Sequence, residues 1–231
     1  MEEPAFGFLD VPRRGPKPRT RGLTIGTDQG VSLQAQEDWL ASHHDVIDYA
    51  KFADHYGLAA RFSASWFRRK LATYRRYGIP TFTGGVTFEL AYLQGKTQAL
   101  FERMRELGFD GVEVSEDVIP PLAPQERRAL IRQAAAAGLH VFTEVGSKFP
   151  EQPLGTEETV SAVLADLEAG ARKVTIEAAE VQVLAKSRPQ TLLDIASRVG
   201  LEHLVFELKP GPWPELPVWL FRTLGPEVNV E

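Results

Sequence analysis

The chain has 231 residues, of which 43% are hydrophobic and 25% charged, and its formal net charge is -5 at pH 7. These values are typical of a globular protein, and they argue against general nucleic-acid binding, because phosphate backbones require a dominant basic surface. Cysteine is absent and there is no long apolar run, so we expect no disulfide, no thiolate metal site and no membrane span. The amino terminus lacks the apolar core of a secretion signal, and we therefore expect a cytoplasmic protein.

Strand-like and helix-like runs alternate along the chain. Residues 1–18, with several arginines and prolines, predict an irregular arm, and residues 19–231 predict a single domain. Eight strands are expected, at 23–28, 46–53, 80–83, 111–115, 140–146, 173–178, 204–208 and 228–231.

Helical spacing of apolar residues is clearest at 124–137, 156–169 and 189–199, and a glycine follows each of these segments. Strands that alternate with helices predict a parallel sheet, and eight such units are the number that closes a TIM barrel. We therefore predict an α/β protein with a TIM (β/α)8 barrel that lacks the last helix.

Nearly every predicted strand has a polar residue near its carboxyl end. Because side chains alternate along a strand, these residues can be assigned to one face. The residues that we expect to point into the barrel are Thr24, Gly26, Asp28, Tyr49, Lys51, Thr81, Thr83, Glu113, Ser115, Phe142, Glu144, Thr175, Glu177, Val205, Glu207, Asn229 and Glu231. Several carboxylates inside one barrel would repel one another and would require positive charge nearby.

Lys51 and Lys148 supply two of the positive charges, and a divalent cation would supply a third. Mg²⁺ or Mn²⁺ would suit this set, because such ions prefer oxygen ligands. The candidate ligands are Asp28, Glu113, Glu144, Glu177 and Glu207. The alternative for each glutamate is an ion pair with arginine or lysine that serves only stability.

Paired glycines, Gly84-Gly85, end the third strand. Two glycines here would let backbone N–H groups approach a carboxylate or phosphate at the start of the next helix. The alternative is a tight strand-to-helix turn that binds no ligand.

Motifs spread over most of the chain support one resemblance. They are Lys17-Pro18-Arg19, Gly22-Leu23-Thr24, Asp28 with Gly30, Glu37-Asp38, Ile47-Asp48-Tyr49-Ala50-Lys51-Phe52, Gly84-Gly85 with Phe88-Glu89, Leu107-Gly108-Phe109, Val112-Glu113-Val114-Ser115, Thr143-Glu144-Val145-Gly146 with Lys148, Asp166-Leu167, Ala169-Gly170-Ala171, Ile176-Glu177 and Phe206-Glu207. In this order and spacing they resemble the phosphosulfolactate synthases of coenzyme M biosynthesis, a family of TIM-barrel enzymes.

The resemblance implies the Mg²⁺-dependent addition of sulfite to phosphoenolpyruvate, or a related reaction of an enolpyruvyl or 2-oxo acid. It implies that Lys148 is the general acid, and we assign Lys51 and Glu144 to catalysis beside it. The metal ligands are then Asp28, Glu113, Glu177 and Glu207. The residues expected to bind the small anionic substrate are Arg19, Arg21, Gly84, Gly85 and Ser115.

The sequence departs from the family pattern where anions would bind. The family's Asp-Lys-Gly is Asp28-Gln29-Gly30 here, its Gly-Thr-Ser after strand two is replaced around Tyr56, Gly57 and Leu58, and a threonine after the paired glycines is Val86. An arginine expected after strand six is missing, because Ala178-Ala179 follows Glu177. TIM barrels commonly bind phosphate after strands seven and eight, and the sequence stops at strand eight.

These departures lead to an alternative hypothesis. The chain would be a non-catalytic relative, comparable to the plant heat-stress-associated proteins that resemble this family, in which the barrel serves stability or partner binding. We also expect a homo-oligomer, because a barrel without its last helix leaves apolar surface at strands one and eight for a partner chain or the arm to cover.

Overall fold

Parallel strands form a ring in the computed structural model, which describes residues 5–10, 14–53, 61–209, 211 and 213–231. Seven strands are assigned within these residues: β1 Ile25–Asp28, β2 Tyr49–Phe52, β3 Thr81–Thr83, β4 Gly111–Val114, β5 His140–Val145, β6 Ala171–Ile176 and β7 Leu204–Phe206. Each strand pairs in parallel with the next one in chain order.

Residues near Val230 close this ring. Val230 forms parallel bridges to Phe206 of β7 and to Thr24, just before β1. The backbone N–H of Ile25 donates to the carbonyl oxygen of Val230 at 2.9 Å, and the N–H of Phe206 donates to that of Asn229 at 3.0 Å. The segment 229–231 thus takes the place of the predicted eighth strand through isolated bridges, and the predicted TIM-barrel class is confirmed.

Nine α-helices are assigned in the described part of the chain. They are α1 Leu33–His43, α2 Ala64–Arg76, α3 Gly85–Leu93, α4 Thr97–Leu107, α5 Pro124–Ala136, α6 Thr156–Ala169, α7 Ala178–Ser187, α8 Pro189–Val199 and α9 Glu215–Leu224. The helices predicted at 124–137, 156–169 and 189–199 are present with ends that differ by one residue at most. None of the described helices has both the length and the apolar character needed to cross a membrane. The absence of a last helix stays a prediction.

Local sequence signals explain where the helices begin and end. The Oγ atom of Ser32 accepts the N–H of Ala35 at 3.1 Å and so caps α1. Pro124 opens α5, where the missing N–H would have no helical partner in any case. Gly170 ends α6 at φ +116°, a conformation that glycine adopts without steric cost. These signals determine the helix lengths, and therefore which residues remain in the loops after each strand.

Apolar side chains fill the inside of the barrel below its polar end. Ile25, Phe82, Phe142 and Val205 are buried together with Tyr49 against them. The rings of Phe82 and Phe142 stack with centroids 4.0 Å apart. Because side chains alternate along each strand, the inward residues two positions further on form the next layer towards the carboxyl ends. The aromatic layer is therefore the floor beneath the polar residues.

The predicted inward face is wrong in β1 and β3. Ile25 and Phe82 belong to the inner layer, so the residues next to them in sequence face the helices. The residues affected are Thr24, Gly26, Asp28, Thr81 and Thr83. The Oγ1 atom of Thr83, for example, lies 3.9 Å from Sδ of Met104 in α4. A polar residue can find partners among the outer helices as well as inside the barrel, so polarity alone did not determine the face.

The described part of the arm binds the amino-terminal end of the barrel. Residues 14–20 contain neither helix nor strand. Lys17 Nζ donates to the carbonyl oxygen of His44 at 2.9 Å, and Asp48, just before β2, accepts from Arg19 at 2.8 Å and Arg14 at 3.1 Å. Residues 1–4 and 11–13 of the predicted arm lie outside the described residues, as does the segment 54–60 with Tyr56, Gly57 and Leu58. The domain boundary after residue 18 stays a prediction.

Candidate active site

A cavity of about 400 Å³ opens at the carboxyl ends of the strands. Charged residues from most of the ring line it: Lys51, Glu113, Asp117, Glu144, Lys148, Glu207, Lys209 and Glu231. TIM-barrel enzymes have their active sites at this end. A cavity of about 200 Å³ near α2 and α4 is mainly apolar. Another cavity, of about 520 Å³, lies between α5 and α6 and shares Asp117 and Glu144 with the one at the mouth.

Lys51 lies at the centre of one charged group. Its Nζ atom is 2.9 Å from Oε2 of Glu113 and 2.8 Å from Oε1 of Glu231. Burial lowers the pKa of Lys51, but the charges of Glu113 and Glu231 outweigh this effect and hold the pKa well above its ordinary value. The ammonium group is therefore charged and already paired with two carboxylates.

Gly85 approaches this group through its backbone. Its N–H donates to Oε1 of Glu113 at 3.0 Å, so the carboxylate occupies the donor that we expected to bind substrate. A Cβ atom at this position would lie 1.8 Å from Oγ of Ser115, which explains why a glycine is required. Gly84 packs beside Lys51, because a Cβ there would lie 3.3 Å from Cε of that lysine. The structure therefore favours a turn that supports the carboxylate.

Lys148 lies at the centre of the second charged group. Its ammonium forms an ion pair with Asp117 and is 3.4 Å from Oε2 of Glu177 and 3.9 Å from Oε1 of Glu144. The other oxygen of Glu177 accepts from Lys209 Nζ at 2.8 Å. Asp117, Glu144 and Glu177 each offer an oxygen within 4.8 Å of the others. Such an all-oxygen set fits a hard divalent cation.

The carboxyl groups of the cavity have different affinities for protons. Burial, reinforced by the charge of Glu113, raises the pKa of Glu144 well above its ordinary value. Burial also raises the pKa of Glu207, to about 7. For Glu177, burial would raise the pKa, but hydrogen bonds from Lys209 and Glu207 and the charge of Lys148 lower it to about 2. Glu177 is thus ionised at neutral pH while its neighbours retain protons more readily.

The proton on Lys148 is also held firmly. Burial lowers the pKa of Lys148, whereas the charge of Glu144, the hydrogen bond to Asp117 and the charge of Glu177 raise it, with a net value above the ordinary one. Lys148 therefore carries its proton at neutral pH.

Eight of the predicted site residues meet at this end of the barrel, in contact with the cavity or with each other. They are Lys51, Gly84, Gly85, Glu113, Glu144, Lys148, Glu177 and Glu207. Ser115 is close by, but its Oγ donates to Glu89, which also accepts the N–H of Asp117 at 2.9 Å and of Val118 at 2.6 Å. Ser115 therefore helps to hold the loop that carries Asp117.

Three predicted site residues lie elsewhere. Asp28 faces α2 outside the barrel, where its Oδ2 is 2.7 Å from the hydroxyl of Tyr74 and 2.8 Å from Nζ of Lys70. This corrects the prediction that Asp28 joins the metal ligands, and the cause is the reversed face of β1.

Arg19 and Arg21 are at the opposite end of the barrel. Arg19 binds Asp48, and Arg21 lies 3.4 Å from Glu227 and 3.7 Å from Glu202. The prediction that they contact the substrate at the mouth is therefore wrong. Both residues precede β1, and a parallel strand places its amino-terminal neighbours at the end away from the mouth.

Three charged residues of the cavity had no predicted role in the site: Asp117, Lys209 and Glu231, of which only Glu231 was expected to point into the barrel. Asp117 and Lys209 follow β4 and β7 by three residues. The signal was present in the sequence, because the loops after barrel strands supply many catalytic residues. A search of those loops, in addition to the strands, would have included both.

The chain matches known proteins over nearly its whole length. Residues 12–231 match the family model for (2R)-phospho-3-sulfolactate synthase (ComA). The phosphosulfolactate synthase of Methanothermobacter thermautotrophicus is 30% identical, over 98% of this chain and 88% of the relative. The phosphosulfolactate synthase of Bacillus subtilis is 31% identical, over 96% of this chain and 88% of the relative.

Solved structures show the same fold at low identity. A phosphonopyruvate hydrolase in complex with oxalate and Mg²⁺ matches 90% of this chain and 74% of its own, with a TM-score of 0.58 at 15% identity. A 2,3-dimethylmalate lyase gives 0.58 at 12% identity, over 90% of this chain and 74% of its own. These similarities concern the barrel alone, whereas the sequence relatives are named as enzymes and support a lyase-type activity. The chain therefore belongs to the phosphosulfolactate synthase family.

Proposed function

We propose that this protein is a phosphosulfolactate synthase-like lyase that adds sulfite to phosphoenolpyruvate, or acts on a related enolpyruvyl or 2-oxo acid, with Mg²⁺. The observation that supports this best is the charged group around Lys148, in which one ammonium contacts three carboxylates at the mouth of a barrel of this family. A proton donor and a candidate cation site thus share one location.

Asp117, Glu144 and Glu177 are the residues that would hold the metal. A divalent cation held by them would supply positive charge that stabilises the negative charge growing on the substrate during the reaction. Glu113 is engaged by Lys51 and Gly85, so its part is to keep Lys51 in place. Mn²⁺ would suit the same oxygen ligands.

Lys148 is the proton donor of the proposed reaction. The sulfur lone pair of sulfite forms a bond to the methylene carbon of the enolpyruvyl group, and the electrons of the carbon–carbon double bond move towards the carboxylate. The adjacent carbon then takes a proton from Nζ of Lys148, which becomes a neutral amine, and the phosphate ester stays intact. Lys148 carries this proton at neutral pH, and it releases the proton more readily once the carboxylates around it are neutralised.

The test is to incubate pure protein with Mg²⁺, phosphoenolpyruvate and sulfite and to measure the sulfonated product. We expect product from the wild type and a kcat lower by about 100-fold or more for Lys148→Met, because general acid catalysis commonly contributes that much. Lys186→Gln, at an exposed lysine in the last turn of α7, is the matched control and should keep full activity.

Two results would contradict the proposal in different ways. If no product forms and no ligand changes the thermal stability, the lyase assignment is wrong. If the wild type is active and Lys148→Met keeps its kcat, the reaction is right and the proton donor is another group.

A non-catalytic relative is the second candidate, and one observation favours it. The described lining of the cavity contains five carboxylates, Glu113, Asp117, Glu144, Glu207 and Glu231, but three lysines. When all five acids are ionised, as above the raised pKa values of Glu144 and Glu207, their excess negative charge disfavours an anionic substrate unless a cation is bound first. Activity with Mg²⁺ in the same assay distinguishes the two candidates.

A further inference from the structure

Three lysines line the cavity, and they differ in how far their ammonium groups are already paired with carboxylates. Lys51 is 8% exposed and lies between two carboxylates, and Lys148 is 28% exposed and lies beside three. Lys209 is 43% exposed, and among the described residues its ammonium pairs with Glu177 alone. Since an ammonium group has three N–H donors, Lys209 has donors available on the solvent side.

Lys209 and Lys148 share one buried carboxylate. They bind its two different oxygens, Lys209 at 2.8 Å and Lys148 at 3.4 Å, and the side chain of Glu177 is 0% exposed. The two ammonium groups are therefore nearer to solvent than the carboxylate that they pair with. Lys148 is also paired with Asp117 and Glu144, so of the two ammonium groups it is Lys209 that is paired with a single carboxylate among the described residues.

The corrected positions of Arg19 and Arg21 leave the mouth without the guanidinium groups that were expected to bind anions. An arginine expected after strand six is also missing, and Ala179 is found there. Lys209 follows β7, and the loops after the last strands are where TIM barrels commonly bind phosphate groups. Lys209 is thus a cation at the mouth, where these arginines are not, and it has N–H donors that no described residue occupies.

We propose that Lys209 is an anion-binding residue of the cavity and that it takes a tetrahedral or pyramidal oxyanion, either the phosphoryl group of the substrate or sulfite. Its ammonium donates to the oxygens of the anion while it keeps one hydrogen bond to Glu177, which positions it. The nature of the anion rests on the proposed function, whereas the binding role of Lys209 rests on the contacts described above.

The experiment measures the binding of inorganic phosphate and of sulfite separately by calorimetry, in the presence of Mg²⁺, for the wild type, Lys209→Gln and Lys209→Arg. Loss of one charge-assisted hydrogen bond should weaken the affinity for the anion that Lys209 binds about tenfold or more. Lys209→Arg should restore most of the affinity, because the charge and donors return. Lys186→Gln is the control for loss of one positive charge, and it should bind as the wild type does.

Activity gives a second readout for the same variants. Lys209→Gln should raise the KM for the anionic reactant that it binds more than it lowers kcat, which a merely structural role would not do. If the wild type binds neither anion, or if Lys209→Gln binds both as tightly as the wild type does, the inference is wrong. If Lys209→Gln loses the anion but the wild type makes no sulfonated product, the inference stands and the proposed reaction is wrong.

Discussion

Lys51 is an ammonium group buried between two buried carboxylates. Taking these charges out of water is costly, and their mutual contacts offset that cost only as long as all partners are present. Oε2 of Glu231 has no hydrogen-bond partner, so the arrangement already contains more acceptor capacity than donors. The two carboxylates can therefore stay buried and charged only while Lys51 is present.

We predict that Lys51→Met lowers the free energy of unfolding by about 3–5 kcal/mol at pH 8, because Glu113 and Glu231 lose their partner. The loss should be smaller at pH 5. Burial raises the pKa of Glu231 and the charge of Lys51 opposes that rise, so without Lys51 the folded protein binds a proton there more readily than the unfolded chain does and gains stability as the pH falls. Urea unfolding at both pH values checks this, with Lys186→Met as control. An equal loss at both pH values would contradict the explanation.

The raised pKa of Glu207 should make the free energy of unfolding of the wild type depend on pH. Its pKa is raised from 4.5 to about 7, so in the folded state it keeps a proton that the unfolded chain has released. This contribution to stability is complete below pH 4.5 and is lost as the pH rises towards 7.

Glu207→Gln should remove that contribution, since an amide does not titrate. Between pH 4.5 and 7 the unfolding free energy of the wild type should fall relative to that of the variant by an amount on the order of 2 kcal/mol. Glu168→Gln, at an exposed position of α6, should follow the wild type. Parallel curves for the wild type and Glu207→Gln would show that Glu207 has an ordinary pKa.

At the scale of elements, Arg127 connects three parts of the barrel. From α5 it donates to Glu116 at 2.6 Å, to Asp166 of α6 at 2.6 Å and to the carbonyl oxygen of Glu144, at the end of β5, at 3.0 Å. Glu116 is next to Asp117, so Arg127 holds the backbone beside two of the three candidate metal ligands.

We predict that Arg127→Met destabilises the protein by about 3–5 kcal/mol, because Asp166 is buried and would lose its ion-pair partner. Arg198→Met is the control, since Arg198 pairs with Glu157 on the surface and little change is expected there. Thermal and urea unfolding of both variants measure the difference. Equal small effects would mean that Arg127 does not connect these elements.

At the scale of the whole molecule, the ring leaves exposed apolar residues on both sides of the eighth strand. Trp39 of α1 is 41% exposed, and Val218 and Phe221 of α9 are 42% and 41% exposed. The described arm residues 14–20 contact the chain between the carboxyl end of α1 and the start of β2, at His44 and Asp48. The homo-oligomer, in which a partner chain would cover these residues, stays a prediction.

Sedimentation velocity should show an oligomer for the wild type. Trp39→Glu combined with Phe221→Glu should shift it towards a monomer, because charges would be placed in the predicted contact. Leu164→Glu, at an exposed apolar residue of α6, is the matched control and should leave the oligomer intact. A wild-type monomer at all concentrations would contradict the prediction.

The sequence alone determined the order of strands and helices, the class of barrel and the presence of carboxylates at strand ends. These features depend on hydrophobic periodicity and on capping residues, which act over a few neighbouring positions. The end of α6 at Gly170 and the start of α8 at Pro189 could be predicted for this reason.

Only the tertiary structure decided which carboxylate meets which cation. Whether Asp28 faces the cavity or α2 depends on the register of β1 in the ring. Lys148 and Lys209 each lie about thirty positions from Glu177 in the sequence, and they follow different strands. Such contacts follow from the tilt and closure of the whole sheet, which no local pattern encodes. The composition of the site was therefore largely present in the sequence, and its geometry was not.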